Sequence, residues 1–208
     1  MSDLETLAWG YGLVEGPRVD SQGNLYFSDV HRGGVHRRAP DGSIEIVVPK
    51  RRGVGGIALH ADGGVVISGR NICHVRDGET RVVFAPDAPG LNDLFVDTKG
   101  RVICGTMRSD PFSTDGPRTS GECWRIDTDG TATELYGGIS LTNGIGFSPD
   151  GAVLYHSDTT QGVWAHEYDD EHGSVRGRRL FVSGDGLAPD GLAPDGLAPD
   201  GLAVDEAG

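Results

Sequence analysis

No apolar run in this 208-residue chain approaches the roughly 20 residues that a membrane-spanning helix requires. The opening MSDLETLAWG lacks the basic and apolar stretches of a secretory signal. Cysteine is scarce: Cys73, Cys104 and Cys123 are odd in number and lack metal-ligand spacing. That argues against a disulfide framework and predicts reduced, buried thiols. Positive charge is scarce as well, with 18 Lys and Arg against 31 Asp and Glu, a formal charge of −13. Such a balance disfavours nucleic acid or an anionic membrane as partner and suits the attraction of cations. Nor does any stretch keep a helical hydrophobic period over a usable length. A cytoplasmic protein is the expectation.

Glycine, by contrast, is abundant, and its 34 copies fit a chain with many tight turns at positive φ. Short β-branched and aromatic runs alternate with Asp-Gly and Gly-rich turns, which is the pattern of hairpins. Two hairpins make one repeat of about 40 to 50 residues, the spacing of propeller blades. The first repeat reads EGPRVD, NLYFSD, GVHRRA, SIEIVVP; the fourth reads NGIGFS, AVLYHSD, GVWAHEYD, RRLFVS. The expected fold is an all-β propeller of four-stranded blades around a channel. Four blades occupy residues 1–184, and residues 200–208 begin a fifth.

Aligning the turn glycines exposes a register. Eight residues before Gly23, Gly63, Gly100, Gly151 and Gly208 stand Glu15, Gly55, Asn92, Asn143 and Asp200. Equal register in a repeat protein means equal place on the blade, here the start of the strand that lines the axis. Two carboxylates and two amides should therefore gather at one mouth of the channel, as a hard divalent cation requires. Ca²⁺ leads, with Mg²⁺ or Mn²⁺ as alternatives; Zn²⁺ is less favoured because no His or Cys shares the register. The plainer reading is that Asn and Asp simply open turns, but four hits at one phase favour the cation. Gly55 is expected to leave one sector open for water or substrate.

Two segments depart from the repeat. DGLAPDGLAPDGLAPDGLAVD repeats every five residues from Asp185, and residues 185–199 read as a tandemly duplicated loop. Of Asp185, Asp190, Asp195 and Asp200, only Asp200 precedes the VDEAG that matches the other blades. The connection from Arg108 to Gly121 should overhang the mouth, bringing Arg108 and Arg118 toward a substrate. Asp29, His31 and His36 are left outside the site, and Trp124 and Trp164 read as core between blades.

These residues resemble the SMP-30/gluconolactonase/LRE-like family of six-bladed propellers. The resemblance rests on EGPRVDSQGNLYFSDV, LNDLFVDTKGRVICGTM, LTNGIGFSPDGAVLYHSDT and PDGLAVDEAG, in that order. It covers about the first two thirds of a family member, as if the C-terminal part were missing. It implies metal ligands at Glu15, Asn143 and Asp200 with Asn92 close by, a catalytic Asp200, and hydrolysis of small-molecule lactones of the sugar type. Members often carry an arginine where this chain has Gly90, which also makes a less polar lactone or ester conceivable. A propeller esterase or phosphotriesterase, a non-catalytic propeller with a structural ion, and an inactive fragment are the competing readings. Exposed strand edges would favour self-association.

Overall fold

The computed structural model describes residues 4–110, 119–183 and 199–207. Arg118, Asp185, Asp190 and Asp195 lie outside these. Sixteen strands form four sheets, and the described residues contain no helix. Blade one is β1 (Val14–Val19), β2 (Leu25–Asp29), β3 (Gly34–Arg38) and β4 (Ile44–Pro49). Blade two is β5 (Ile57–Leu59), β6 (Val65–Ile67), β7 (Ile72–Arg76) and β8 (Glu79–Phe84). Blade three is β9 (Gly90–Val96), β10 (Val102–Met107), β11 (Gly121–Ile126) and β12 (Ala132–Ile139). Blade four is β13 (Thr142–Phe147), β14 (Val153–Asp158), β15 (Gly162–Asp169) and β16 (Ser174–Ser183).

Each sheet is an antiparallel meander in chain order, as expected of strands joined by short turns. Gly23, Gly63, Gly100 and Gly151, which set the register, all close their turns at φ between 70° and 92°. An L side chain is disfavoured there, so the turns fix hairpin phase in every blade. Asp20 and Asp97 brace two of these turns by accepting backbone N–H groups two and four residues on. The first strands of successive blades touch: β1 meets β5, β5 meets β9, and β9 meets β13. They are the axial strands, as the sequence predicted.

Three apolar cores bind the four blades. Val35, Val48, Ile57 and Ile67 join blades one and two; Ile72, Leu91, Leu94 and Cys104 join two and three; Ile103, Cys123, Ile145 and Leu154 join three and four. Trp124 packs on the second of these. Trp164 instead lies under Arg178, whose guanidinium carbon is 4.0 Å from the ring centroid. No core cluster among the described residues links blade four to blade one. Residues 199–205 run beside β13 without forming a strand. Gly144 N–H donates to Asp200 O at 3.0 Å, and Leu202 packs on Gly144 and Gly146. The expected start of a fifth blade thus lies next to the fourth. Cys73, Cys104 and Cys123 are buried free thiols, and no helix among the described residues is long and apolar enough to cross a membrane.

Candidate functional site

The axial strands share a local irregularity. In β1, Glu15 pairs with Ser28 and Arg18 with Tyr26, so three steps on one strand match two on the other. The same excess falls between Leu91 and Leu94 of β9 and between Thr142 and Ile145 of β13. A β-bulge re-aims side chains that strict alternation would send into the blade. Glu15, Asn92 and Asn143 all sit at these bulges.

They line one cavity of about 690 Å³, together with Asp200 and Arg108. Leu13, Pro89, Met107, Leu141 and Pro199 form its apolar wall. The structure therefore brings together every described residue of the sequence-derived site. Asn143 is buried, and its Nδ2 donates to Thr159 Oγ1. Asn92 Nδ2 donates to Asn143 Oδ1 at 2.8 Å and to Thr142 O at 2.9 Å. Asn143 Oδ1 is thereby held toward its neighbour across the blade boundary. Asn92 Oδ1 is turned the other way, toward Gly55.

Glu15 and Asp200 are different. Among the described residues neither carboxylate takes a hydrogen bond or an ion pair. Burial pushes the Glu15 pKa up to about 7, with the facing charges of Asp200 and Asp93 adding to the effect. Asp200 itself is exposed to solvent at the cavity edge.

Asp93 was missed by the sequence reading. It follows Asn92 in the same bulge, and its pKa is raised to about 6, first by burial, with Asp200 adding and the Leu94 N–H and Arg18 opposing. A signal was there: the residue after the ring position is glycine at 16, 56, 144 and 201, and aspartate only at 93. Arg18 lies behind it, donating to Leu94 O at 3.2 Å and resting 5.1 Å from the Phe95 centroid.

The expectation of an open sector at Gly55 fails. A Cβ there would run into the Asn92 carboxamide, and one at Gly56 would meet Leu94 N and Asp93 Oδ1. The missing side chains admit blade three to the axis. Arg108 reaches the cavity but is engaged, its Nε donating to Glu122 Oε1 at 2.6 Å and its Nη1 to Asp87 O at 2.8 Å. Asp29, left out by the sequence reading, accepts the Gly12 and Arg32 N–H groups and so anchors a turn.

The SMP-30/Gluconolactonase/LRE-like region family model matches residues 13–208. Pentonolactonase XacC of Haloferax volcanii is 33% identical over 179 residues, 82% of this chain and 58% of that protein. The 6-deoxy-6-sulfogluconolactonase of Pseudomonas putida is 32% identical over 177 residues, 79% of this chain and 58% of that protein. The chain thus spans 58% of the length of these two curated relatives. The solved gluconolactonase XC5397 of Xanthomonas campestris superposes with a TM-score of 0.79 at 26% identity, covering 98% of this chain and 70% of that one. With the blades, their order and the sequence match in agreement, this chain belongs to the SMP-30/gluconolactonase/LRE-like family.

Proposed function

We propose that the cavity is the active site of a hydrolase that opens lactone rings, with one divalent cation held by Glu15, Asn143 and Asp200. The observation that carries this reading is the meeting in one cavity of a fixed amide oxygen and two carboxylates that have no partner among the described residues, from elements far apart in sequence. The donor set fits a hard ion. All its atoms are oxygens, and a cation held there would offset the burial and the facing charges of Asp200 and Asp93 that lift the Glu15 pKa. Ca²⁺ fits best, and Mg²⁺, Mn²⁺ or Zn²⁺ are the ions to compare. Asn92 takes part through its Nδ2, which orients Asn143, and its place on the wall brings it within reach of substrate.

A cation held by these residues would supply polarisation of the lactone carbonyl and a more acidic water. Asp200, exposed at the cavity edge, accepts the proton of the attacking water. Asn143 is fixed at both ends of its carboxamide, Nδ2 donating to Thr159 Oγ1 and Oδ1 accepting from Asn92 Nδ2, which leaves the second lone pair of the oxygen for a cation. Arg108, braced by Glu122, contacts the polar edge of the substrate at the rim. Sugar lactones of the aldonolactone type are the first substrates to examine, since two relatives bear the names pentonolactonase and 6-deoxy-6-sulfogluconolactonase. The three free thiols accord with a cytoplasmic setting.

The test is cation content and aldonolactone hydrolysis in the purified chain, beside Asp200→Ala and Asn143→Ala. The reading expects chelator-sensitive turnover in the parent, with ion and turnover lost together in both variants. Retention of the ion in both variants would defeat it.

A further inference from the structure

The second strands of the blades share one inward position, given by their pairing with the axial bulges. Phe27, Ile67, Cys104 and His156 occupy it, as the partners around Glu15, Ile57, Leu94 and Ile145 show. Three of these are apolar and buried, as a packed blade interior asks. Blade four alone places an imidazole there, 0% exposed. The residue before the ring position is likewise apolar in the first three blades, Val14, Val54 and Leu91, with the last two buried, but it is Thr142 in the fourth.

The two polar exceptions touch. His156 Nε2 lies 3.0 Å from Thr142 Oγ1, and its Nδ1 lies 2.6 Å from the Tyr136 hydroxyl of blade three. Burial, then His166 and Arg178, pushes the His156 pKa down to about 3. The ring is neutral, so one nitrogen donates and the other accepts. Thr142 in turn gives its carbonyl to Asn92 Nδ2, the group that also grips Asn143 Oδ1. A continuous chain of bonds thus runs from Tyr136 through His156 and Thr142 to both amides of the cavity.

We propose that Tyr136, His156 and Thr142 are positioning residues that set the orientation of Asn92 and Asn143 for cation binding. The proposal rests on the cation site proposed above. A buried polar pair in place of an apolar one costs stability unless fully bonded. Three sister blades manage without it. What blade four gains is a peptide at Thr142 pinned from behind by its side chain, immediately before the buried ligand. Partners behind metal ligands typically change affinity when removed.

The test uses conservative variants of the whole chain: Thr142→Val, the residue of blade one; Tyr136→Phe, which removes only the hydroxyl; and His156→Phe, again as in blade one. Ca²⁺ and Mn²⁺ dissociation constants are measured calorimetrically beside the melting temperature of the cation-free protein. The expected result is about a tenfold or greater loss of affinity in Thr142→Val and Tyr136→Phe, with cation-free melting lowered in both because each leaves one His156 nitrogen unbonded, but not in proportion to the loss of affinity. Unchanged affinity in both would overturn the proposal, as would a loss that merely follows lowered melting. Should His156→Phe fail to fold, the other two variants still decide. If the parent binds neither ion, the cation reading itself falls. The side-chain amide NMR signals of Asn92 and Asn143 then judge the positioning: displaced in both variants supports it, unmoved defeats it.

Discussion

Blade two and blade four are built alike and serve the axis in opposite ways. Both are four-stranded meanders closed by a glycine turn at the same phase. Blade four sends Asn143 into the cavity and supports it with Thr159, Thr142 and a buried imidazole. Blade two sends nothing. Gly55 and Gly56 give their N–H groups to Ser68 Oγ, which donates to Asn92 O. The emptiness of one blade is a condition for the placement of its neighbour's side chain. Register predicts where a residue stands, whereas the neighbour's needs decide whether a side chain belongs there.

This contrast is open to measurement. The largest expected effect is at Gly56, where an alanine Cβ would meet the Leu94 backbone nitrogen. Gly56→Ala should cost about 1–3 kcal/mol of stability, since backbone yields poorly to overpacking; denaturant melts would show it. A melt like the parent's would mean that blade three does not depend on the gap. Next comes pH. Protonated Glu15, with its pKa near 7, must lose its proton to hold a cation. Cation affinity should therefore rise about tenfold between pH 6 and pH 8 from this group, and calorimetry at the two values checks it. The linked sign for stability is opposite. A carboxyl raised above its ordinary 4.5 favours the folded state at low pH, so the cation-free protein should lose stability as pH climbs through about 7. Gly55→Ala is the sharper comparison with Gly56→Ala. Its first obstacle is the movable Asn92 carboxamide, so cation affinity should fall by about threefold or more while melting shifts less. The smallest effect is at the rim. Arg108→Ala should raise KM several-fold with little change in kcat, since Arg108 is already paired with Glu122.

Much of this was legible in the sequence because turn chemistry is local. The glycines at 23, 63, 100 and 151 announce their conformation, and alternating runs between them fix blade and strand order. The ring residues followed from phase alone. Other features depend on partners that a linear reading does not supply. The bulges are a mismatch between two strands, so neither strand displays them by itself. Without them Asp93 reads as facing away from Asn92, although its break with the glycine pattern was visible. Gly55 was misread because the group that fills its space comes from blade three. Thr142 breaks the apolar run of Val14, Val54 and Leu91 within the sequence register itself, whereas His156 stands out only once Phe27, Ile67 and Cys104 are aligned with it in three dimensions. Trp164 shared a register with Trp124, but its cover is a guanidinium rather than an adjoining blade.

The surplus residue in each axial bulge has a genetic corollary. Removing one codon from the Thr142–Ile145 stretch would restore regular pleating and swing the Asn143 carboxamide off the channel while leaving the sheet intact. Outer loops, away from the glycine turns that set hairpin phase, should tolerate changes in length by comparison, because they do not count the steps that aim a ligand. Indels should be tolerated at the periphery and forbidden in three short inner segments, a pattern that a deletion scan would map directly.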